Sequence, residues 1–481
     1  MRRNRLTGTG AALRGLAALW WAAGVSAGAA DALAADSASA KKRPPNIVIF
    51  VADDLGYADL GCQGCKDVPT PSIDTLAAGG VRFTNGYVSC PVCSPTRAGL
   101  QTGRYQQRFG HEHNPGPPDR VEPNFGLPLG EVTLADRLRK AGYVTGLVGK
   151  WHLGYEPQFH PQKRGYDEYF GFLAGSHDYF LNDRPVPILR GTQVVKEDAY
   201  LTDALGREAA AFVDRHKDRP FLLMLTFNAV HSPMQATDKY LDRFSSVEPP
   251  LRRKLAAMLS AMDDAIGVVL KRIRGAGLEE DTLIFFVSDN GGPTPTNGSR
   301  NAPLRGFKSQ VYEGGIRVPF LVQWKGRIPA GKVYDHPVIA LDIHPTCLAA
   351  AGGPSEIPAD KPLDGVNLLP FLRGEKAEAP HDVLYWRFGN QWAIRKGNSK
   401  LLTSRDGEAL FDLAADIGEQ TNLLDKEPDR VKELRSLYDR WSAQLKPPAW
   451  GPSAARGEAA PRQRNTGGNR AGGERNAPRG K

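Results

Sequence analysis

Two pairs of polar residues, Asp53-Asp54 and Asp289-Asn290, directly follow short apolar runs in this chain of 481 residues. They supply three carboxylates and an amide, all oxygen donors, the set that hard divalent cations take. Ca²⁺ tolerates irregular, crowded oxygen geometry better than Mg²⁺ does. No His-x-His or cysteine pair joins them, which disfavours zinc. Either pair alone reads better as a solvated turn; two such pairs after two strand-like runs favour a metal site. A third candidate is Cys93, which opens Cys93-Ser94-Pro95-Thr96-Arg97. Pro95 suits the first turn of a helix, so Cys93 belongs at or just before a helix N-terminus. There the free N–H groups and the dipole favour anions. A cysteine so placed beside Arg97 is expected to have a depressed pKa and to be reactive. The other reading is a buried thiol beside a turn.

The elements that must position these residues follow from hydrophobic patterning. Ile47 to Ala52 is continuously apolar and ends at Asp53, as a strand buried on both faces of a parallel sheet would. Thr133 caps a helix with Leu134, Leu138 and Ala141 on one face, and Gly142 stops it. A strand over 143–149 leads to Lys150-Trp151-His152, and one over 220–228, after a helix over 201–215, leads to His231. Leu255, Met258, Leu259, Met262, Ile266 and Val269 recur at helical spacing, and the apolar run 282–288 ends at Asp289. Alternating helices and apolar strands predict an α/β fold with a large, mostly parallel sheet flanked by helices. Polar residues follow strands four times, where open α/β sheets collect ligands. From about Asp382 the texture becomes short antiparallel strands (383–388, 392–395, 401–403) and a closing helix (428–445), a smaller C-terminal α+β subdomain.

The net charge of +9 sits at the ends: residues 1–45 and 447–481 each carry +5, leaving 46–446 near −1. A folded body without net positive charge argues against a nucleic-acid-binding surface. Arg2, Arg3, Arg5 and Arg14 precede the apolar run 15–30, and Ala32-Leu33-Ala34 offers a cleavage site. Residues 1–34 therefore read as an export signal, with a membrane anchor as the alternative, and the mature protein as periplasmic or extracellular with no integral span. Residues 35–45 read as a linker, 46–380 as the catalytic domain, 381–446 as the subdomain and 447–481 as a disordered basic tail.

The Cys93 stretch continues Ala98-Gly99-Leu100-Gln101-Thr102-Gly103-Arg104 and resembles the type I sulfatase signature, Cys-x-Pro-x-Arg followed by Leu-x-Thr-Gly-Arg. Further hallmarks fall in order: Asp53-Asp54-Leu55-Gly56, Gly149-Lys150-Trp151-His152, His231-Ser232-Pro233 and Ser288-Asp289-Asn290-Gly291-Gly292. Leu304-Arg305-Gly306-Phe307-Lys308, Glu313-Gly314-Gly315-Ile316-Arg317 and a C-terminal Leu410-Phe411-Asp412-Leu413 complete them, so the resemblance spans about 44–446. It implies an alkaline phosphatase-like fold and hydrolysis of arylsulfates or sulfated carbohydrates. It also implies that a separate formylglycine-generating enzyme oxidises Cys93 to formylglycine (3-oxoalanine). Asp53, Asp54, Asp289 and Asn290 would hold one Ca²⁺ together with residue 93. Arg97, Lys150 and His152 would orient the formylglycine. Lys308, Lys150 and His231 would hold the sulfate, with His231 a candidate acid for the departing alcohol. The hydrated aldehyde offers one hydroxyl to attack sulfur and a second whose deprotonation expels sulfate, a release route that a plain serine or cysteine lacks.

Other features stay open on the sequence. His111-Glu112-His113 invites a metal reading but fits cleft lining or a loop cap better, and His177-Asp178-Tyr179-Phe180 suits substrate contact. Cys62-x-x-Cys65 is a redox or zinc pair, a local disulfide or two inert thiols; Cys90 has the spacing to bridge to Cys93. The rival functions are a phosphate or phosphonate esterase of the same superfamily and an inactive sulfate- or glycan-binding protein.

Overall fold

The computed structural model describes residues 43–122, 124–180, 186–353 and 357–451. In chain order the strands are β1 (Asn46–Ala52), β2 (Val81–Phe83), β3 (Gly86–Tyr87), β4 (Val144–Lys150), β5 (Glu168–Phe172), β6 (Ile188–Arg190), β7 (Gln193–Val195) and β8 (Phe221–Thr226). Then come β9 (Thr282–Ser288), β10 (Phe320–Gln323), β11 (Lys332–Tyr334), β12 (Val338–Ile339), β13 (Val383–Phe388), β14 (Gln391–Lys396), β15 (Ser399–Ser404) and β16 (Gly407–Asp412). Ten of them form one sheet in the order β11-β2-β10-β9-β1-β8-β4-β5-β6-β7. Its centre, β9-β1-β8-β4-β5, is parallel throughout, and antiparallel pairings lie only towards its two edges.

The apolar runs are explained by burial on both faces. Ile47, Ile49 and Val51 of β1 join one core cluster, while Val48, Phe50 and Ala52 join the other on the opposite face. The helices Leu201–His216 and Pro250–Gly275 cover the second face, the latter through Leu255, Met258, Leu259, Met262, Ile266 and Val269. Each such side chain contributes about 1.5–3 kcal/mol by leaving water. The helix Leu134–Lys140 has the expected cap: Thr133 Oγ1 accepts from Asp136 N, and Asp136 accepts from Thr133 N.

The C-terminal sheet is antiparallel, β13-β14-β15-β16, backed by the helix Pro428–Ser442. It holds one strand more than expected, β16, whose Gly407-Glu408 start carries no alternating pattern. A buried ion cluster joins this sheet to the main domain. Lys400 Nζ on β15 lies 2.8 Å from both Glu313 and Glu419, all three side chains being fully inaccessible. Tyr87 donates to Glu313 Oε2 at 2.6 Å, and Glu313 N donates to Glu419 Oε2 at 2.7 Å. The expectation of a disordered tail from residue 447 fails for its first five residues. Pro447–Gly451 pack on the main domain, with Ala449 N donating to Gly110 O at 2.9 Å. Residues 452–481 and the expected export signal lie outside the described residues, and no helix among those described is long and apolar enough to cross a membrane.

Candidate active site

The site is built at the carboxyl ends of β1, β4, β8 and β9. Asp53 and Asp54 follow β1 and are fixed by backbone bonds to two neighbouring strand ends: Asp53 N to Ala229 O (2.9 Å), Val230 N to Asp53 O (2.7 Å) and Asp289 N to Ala52 O (3.0 Å). Asp54 takes a left-handed backbone (φ 63°), which aspartate tolerates better than most residues. Asp289 and Asn290 follow β9. Beside them Gly291 has no room for a side chain, since a Cβ would meet Gly314 O at 1.8 Å, while its N–H donates to Gly315 O. The Glu313-Gly314-Gly315 motif thus seats the Asp289-Asn290 turn, and the Lys400 cluster anchors that motif from behind.

Cys93 is the first residue of the helix Cys93–Thr102, which is buried along its whole length. No side chain of its own N-cap Val92 caps it. Instead Asn114 Oδ1, from a loop twenty residues on, accepts from Ser94 N at 2.9 Å. Around Cys93 Sγ stand Asp53 Oδ1 at 3.5 Å and Lys308 Nζ at 3.3 Å. Lys308 also reaches Asp54 Oδ1 at 2.6 Å, Lys150 reaches Asp53 Oδ2 at 2.6 Å, and Arg97 Nη2 reaches Asp289 Oδ2 at 2.8 Å. Three cations thus interleave with three carboxylates, all buried except the partly exposed Lys308. Ligand atoms of Asp53, Asp54, Cys93 and His231 lie within 4.8 Å of one another. Asp289 stands outside that set because its carboxylate turns to Arg97.

The donor set fits a hard cation. Asn290 Nδ2 donates to Asp54 Oδ1 at 2.7 Å, leaving its Oδ1 buried with no hydrogen-bond partner. An orphaned oxygen among buried carboxylates suits Ca²⁺. Asp53 would be raised by burial, but Lys150, His231, Arg97 and Lys308 hold it well below the usual carboxylate range. Asp289 is raised by burial and by Asp53.

The expectation of a depressed Cys93 pKa is wrong. Burial and the nearby Asp289 push the thiol up to about 12, outweighing Lys150 and Lys308. The charge of Arg97 goes to Asp289 and Asp53, not to the sulfur. An unmodified Cys93 is therefore a protonated, poor nucleophile at neutral pH.

His152 and His231 both reach the site. A cleft of about 420 Å³ is lined by Cys93, His152, His177, Asp178 and His231, with Asn114 and Tyr155 opposite. His177 and Asp178 therefore line the cleft; Tyr179 is buried, its single hydroxyl proton shared between Asn228 O and His231 O. Asn114, Tyr155 and Ser94 were not singled out from the sequence, since a cleft-lining Asn or Tyr carries no spacing signal. His111 and His113 share no ion site. The first bonds Ser94 Oγ under Trp450 and the second packs on Phe388. All five cysteines are unbridged. Cys62 is pushed up to about 12 by burial and Asp74, and Cys65 Sγ donates to Asp67 at 3.1 Å, as inert thiols would.

The sulfatase family model matches residues 45–353, well over half of the chain. The chain belongs to the sulfatase family. A second model, described as the C-terminal part of N-sulphoglucosamine sulphohydrolase, matches residues 307–444. Human N-acetylgalactosamine-6-sulfatase is 36% identical over 389 residues, covering 76% of this chain and 72% of that one. Human arylsulfatase A is 34% identical, covering 89% of this sulfatase and 93% of its own length. Among solved structures, Ps i-CgsB superposes with a TM-score of 0.81 at 38% identity, covering 85% of this chain and 95% of that one; it has also been solved in complex with k-i-k-neocarrahexaose. The fold is the alkaline phosphatase-like one that the resemblance implied, and the enzyme is a sulfuric ester hydrolase.

Proposed function

We propose that this sulfatase is exported and removes sulfate from a sulfated carbohydrate, using a formylglycine made from Cys93 and one Ca²⁺. The observation that carries the reading is the junction of Cys93 with Asp53, Asp54, Lys150 and Lys308 at the helix N-terminus. The names of two relatives, an N-acetylgalactosamine-6-sulfatase and a protein that binds a neocarrahexaose, support a sulfated glycan, beside that of arylsulfatase A, which speaks for an arylsulfate. Ca²⁺ would be held by Asp53, Asp54, Asp289, Asn290 and residue 93, and when bound supplies positive charge that favours an ionised oxygen on its ligands. Formylglycine supplies two hydroxyls on one carbon, one to attack and one to release.

The chain's own residues do the rest. Lys308 Nζ lies 3.3 Å from Cys93 Sγ and Lys150 Nζ pairs with Asp53 beside it, so both would balance the charge of sulfate oxygens held at residue 93. Arg97 keeps Asp289 and Asp53 in place. His152 is pushed well below its usual value by burial, then by Lys150 and Arg97, so it is neutral. Its Nδ1 is buried without a partner and is the atom able to take a proton from a hydroxyl at residue 93. His231 sits at the mouth, with Nδ1 committed to Ser232 O at 2.6 Å. Nε2, 3.6 Å from Asp54 Oδ2, is then the atom that, as part of the doubly protonated ring, hands a proton to the leaving alcohol.

Two assays in parallel test this. The matured protein should hydrolyse para-nitrophenyl sulfate far faster than para-nitrophenyl phosphate, and Cys93→Ala should abolish both. A faster phosphate reaction, or full activity in Cys93→Ala, would refute the reading.

A further inference from the structure

We propose that His111 is a positioning residue of this sulfatase, fixing Ser94 and through it His152, and that the C-terminal segment Lys446–Gly451 locks His111 in place. The inference rests on the role given above to His152. Ser94 Oγ lies 2.6 Å from His152 O and 2.7 Å from His111 Nε2. A carbonyl only accepts, so the single hydroxyl proton goes to His152 O. The ring must then supply the second bond, which makes His111 the Nε2–H tautomer; its Nδ1 has no hydrogen-bond partner. Burial holds this imidazole far below its usual value, at about 3, so it is neutral throughout the working range and serves as a fixed donor, not as an acid or base.

The bond to His152 O matters because of the backbone it restrains. His152 has φ 58°, a left-handed conformation that side-chain-bearing residues keep only where the surroundings hold it. Two bonds do so: His152 N to Leu173 O at 3.0 Å, and Ser94 Oγ to His152 O. Freeing the second lets the peptide turn and swings the imidazole away from residue 93. The same loop grips Ser94 again, through Asn114 Oδ1 on its N–H.

What holds the loop is the chain's far end. Trp450 stands edge-on to His111 with ring centroids 4.6 Å apart, stacks on Phe125 at 4.9 Å, and donates from Nε1 to His113 O at 2.9 Å. Lys446 N donates to Gln107 O, and Ala449 N to Gly110 O. Arg387 ties the two sides together, pairing with the buried Glu112 and donating to Lys446 O at 2.7 Å. A chain of contacts thus runs from Trp450 to His111, Ser94 and His152.

The test uses the matured full-length protein and para-nitrophenyl sulfate, with kcat expressed per converted residue 93 as counted by peptide mass spectrometry. His111→Leu should lower kcat about 10- to 100-fold, the scale of a displaced catalytic group, with KM within about twofold. His111→Gln, whose carboxamide N–H can take the place of Nε2–H, should recover most of the loss. Trp450→Ala should lower kcat in the same direction, and the double variant His111→Leu with Trp450→Ala should be no slower than His111→Leu alone. Wild-type kcat per converted site in His111→Leu and Trp450→Ala, whatever their melting points, overturns the proposal. So does a glutamine variant as slow as the leucine one. Should His111→Leu not fold, Trp450→Ala decides alone, because it leaves His111 and Ser94 intact. Failure of the sulfatase reading itself would already show as an inactive wild type.

Discussion

Replacing Lys400 by methionine removes the one cation that touches both Glu313 and Glu419, each 2.8 Å away and fully inaccessible. At that distance each pair is worth about 6 kcal/mol at an effective dielectric constant of about 20. Much of this offsets the cost of burying the charges, so the net loss from breaking such a cluster is about 3–5 kcal/mol. The sign of its pH dependence follows from the carboxylates. Burial already lifts Glu419 to about 7, while Lys400 and Arg317, against burial, bring Glu313 down to about 2. Without Lys400 both acids rise in the folded state and stay protonated there, while in the unfolded chain they ionise above their ordinary 4.5. Stability then falls as pH rises, so the deficit against wild type deepens from about pH 5 to about pH 8. Guanidinium denaturation at the two pH values, followed by tryptophan fluorescence, measures it. A loss below about 1 kcal/mol, or one equal at both pH values, would refute the assignment of this cluster as the rivet between the two sheets.

Lys308→Ala should lower kcat on para-nitrophenyl sulfate about 100- to 1,000-fold, the scale of losing one charge-stabilising contact; turnover within about threefold of wild type would remove Lys308 from the sulfate site. Chelation with EGTA should lower both activity and melting temperature, and Ca²⁺ should restore them; indifference to EGTA would count against the Asp53-Asp54-Asp289-Asn290 metal site. His381, against burial, is raised by Asp342 at 2.8 Å. Its stabilisation is therefore complete below its ordinary 6.5 and is lost as pH rises through the raised folded value. The melting-point gap between wild type and His381→Asn should be widest near about pH 6 and close by about pH 9, and a constant gap would contradict this.

Much of the site was legible because its residues end strands whose both faces are buried. Asp53, Lys150 and Asp289 each interrupt a run of apolar residues, and a polar residue there has few places to point except the ligand crevice. Pro95 placed Cys93 on a helix start for an equally local reason. What stayed hidden depends on contacts between distant parts of the chain. Burial and the carboxylate of Asp289, which also claims Arg97 from 192 residues away, reverse the expected pKa of Cys93. Trp450 sits in a Pro- and Gly-rich stretch that reads as tail, yet it packs on His111, whose sequence reads as cleft lining or a loop cap and gives no sign of a hydrogen-bond relay. The strand β16 starts with glycine and glutamate and is recognisable only by its pairing with β15.

The most direct measurement is the mass of the tryptic peptide carrying residue 93, followed across preparations matured to different extents and plotted against sulfate released per molecule. A side chain in which an aldehyde oxygen replaces the thiol, present in proportion to turnover and extrapolating to no activity at zero conversion, is the expected result. Full turnover from a chain whose Cys93 is an unmodified thiol would contradict the account.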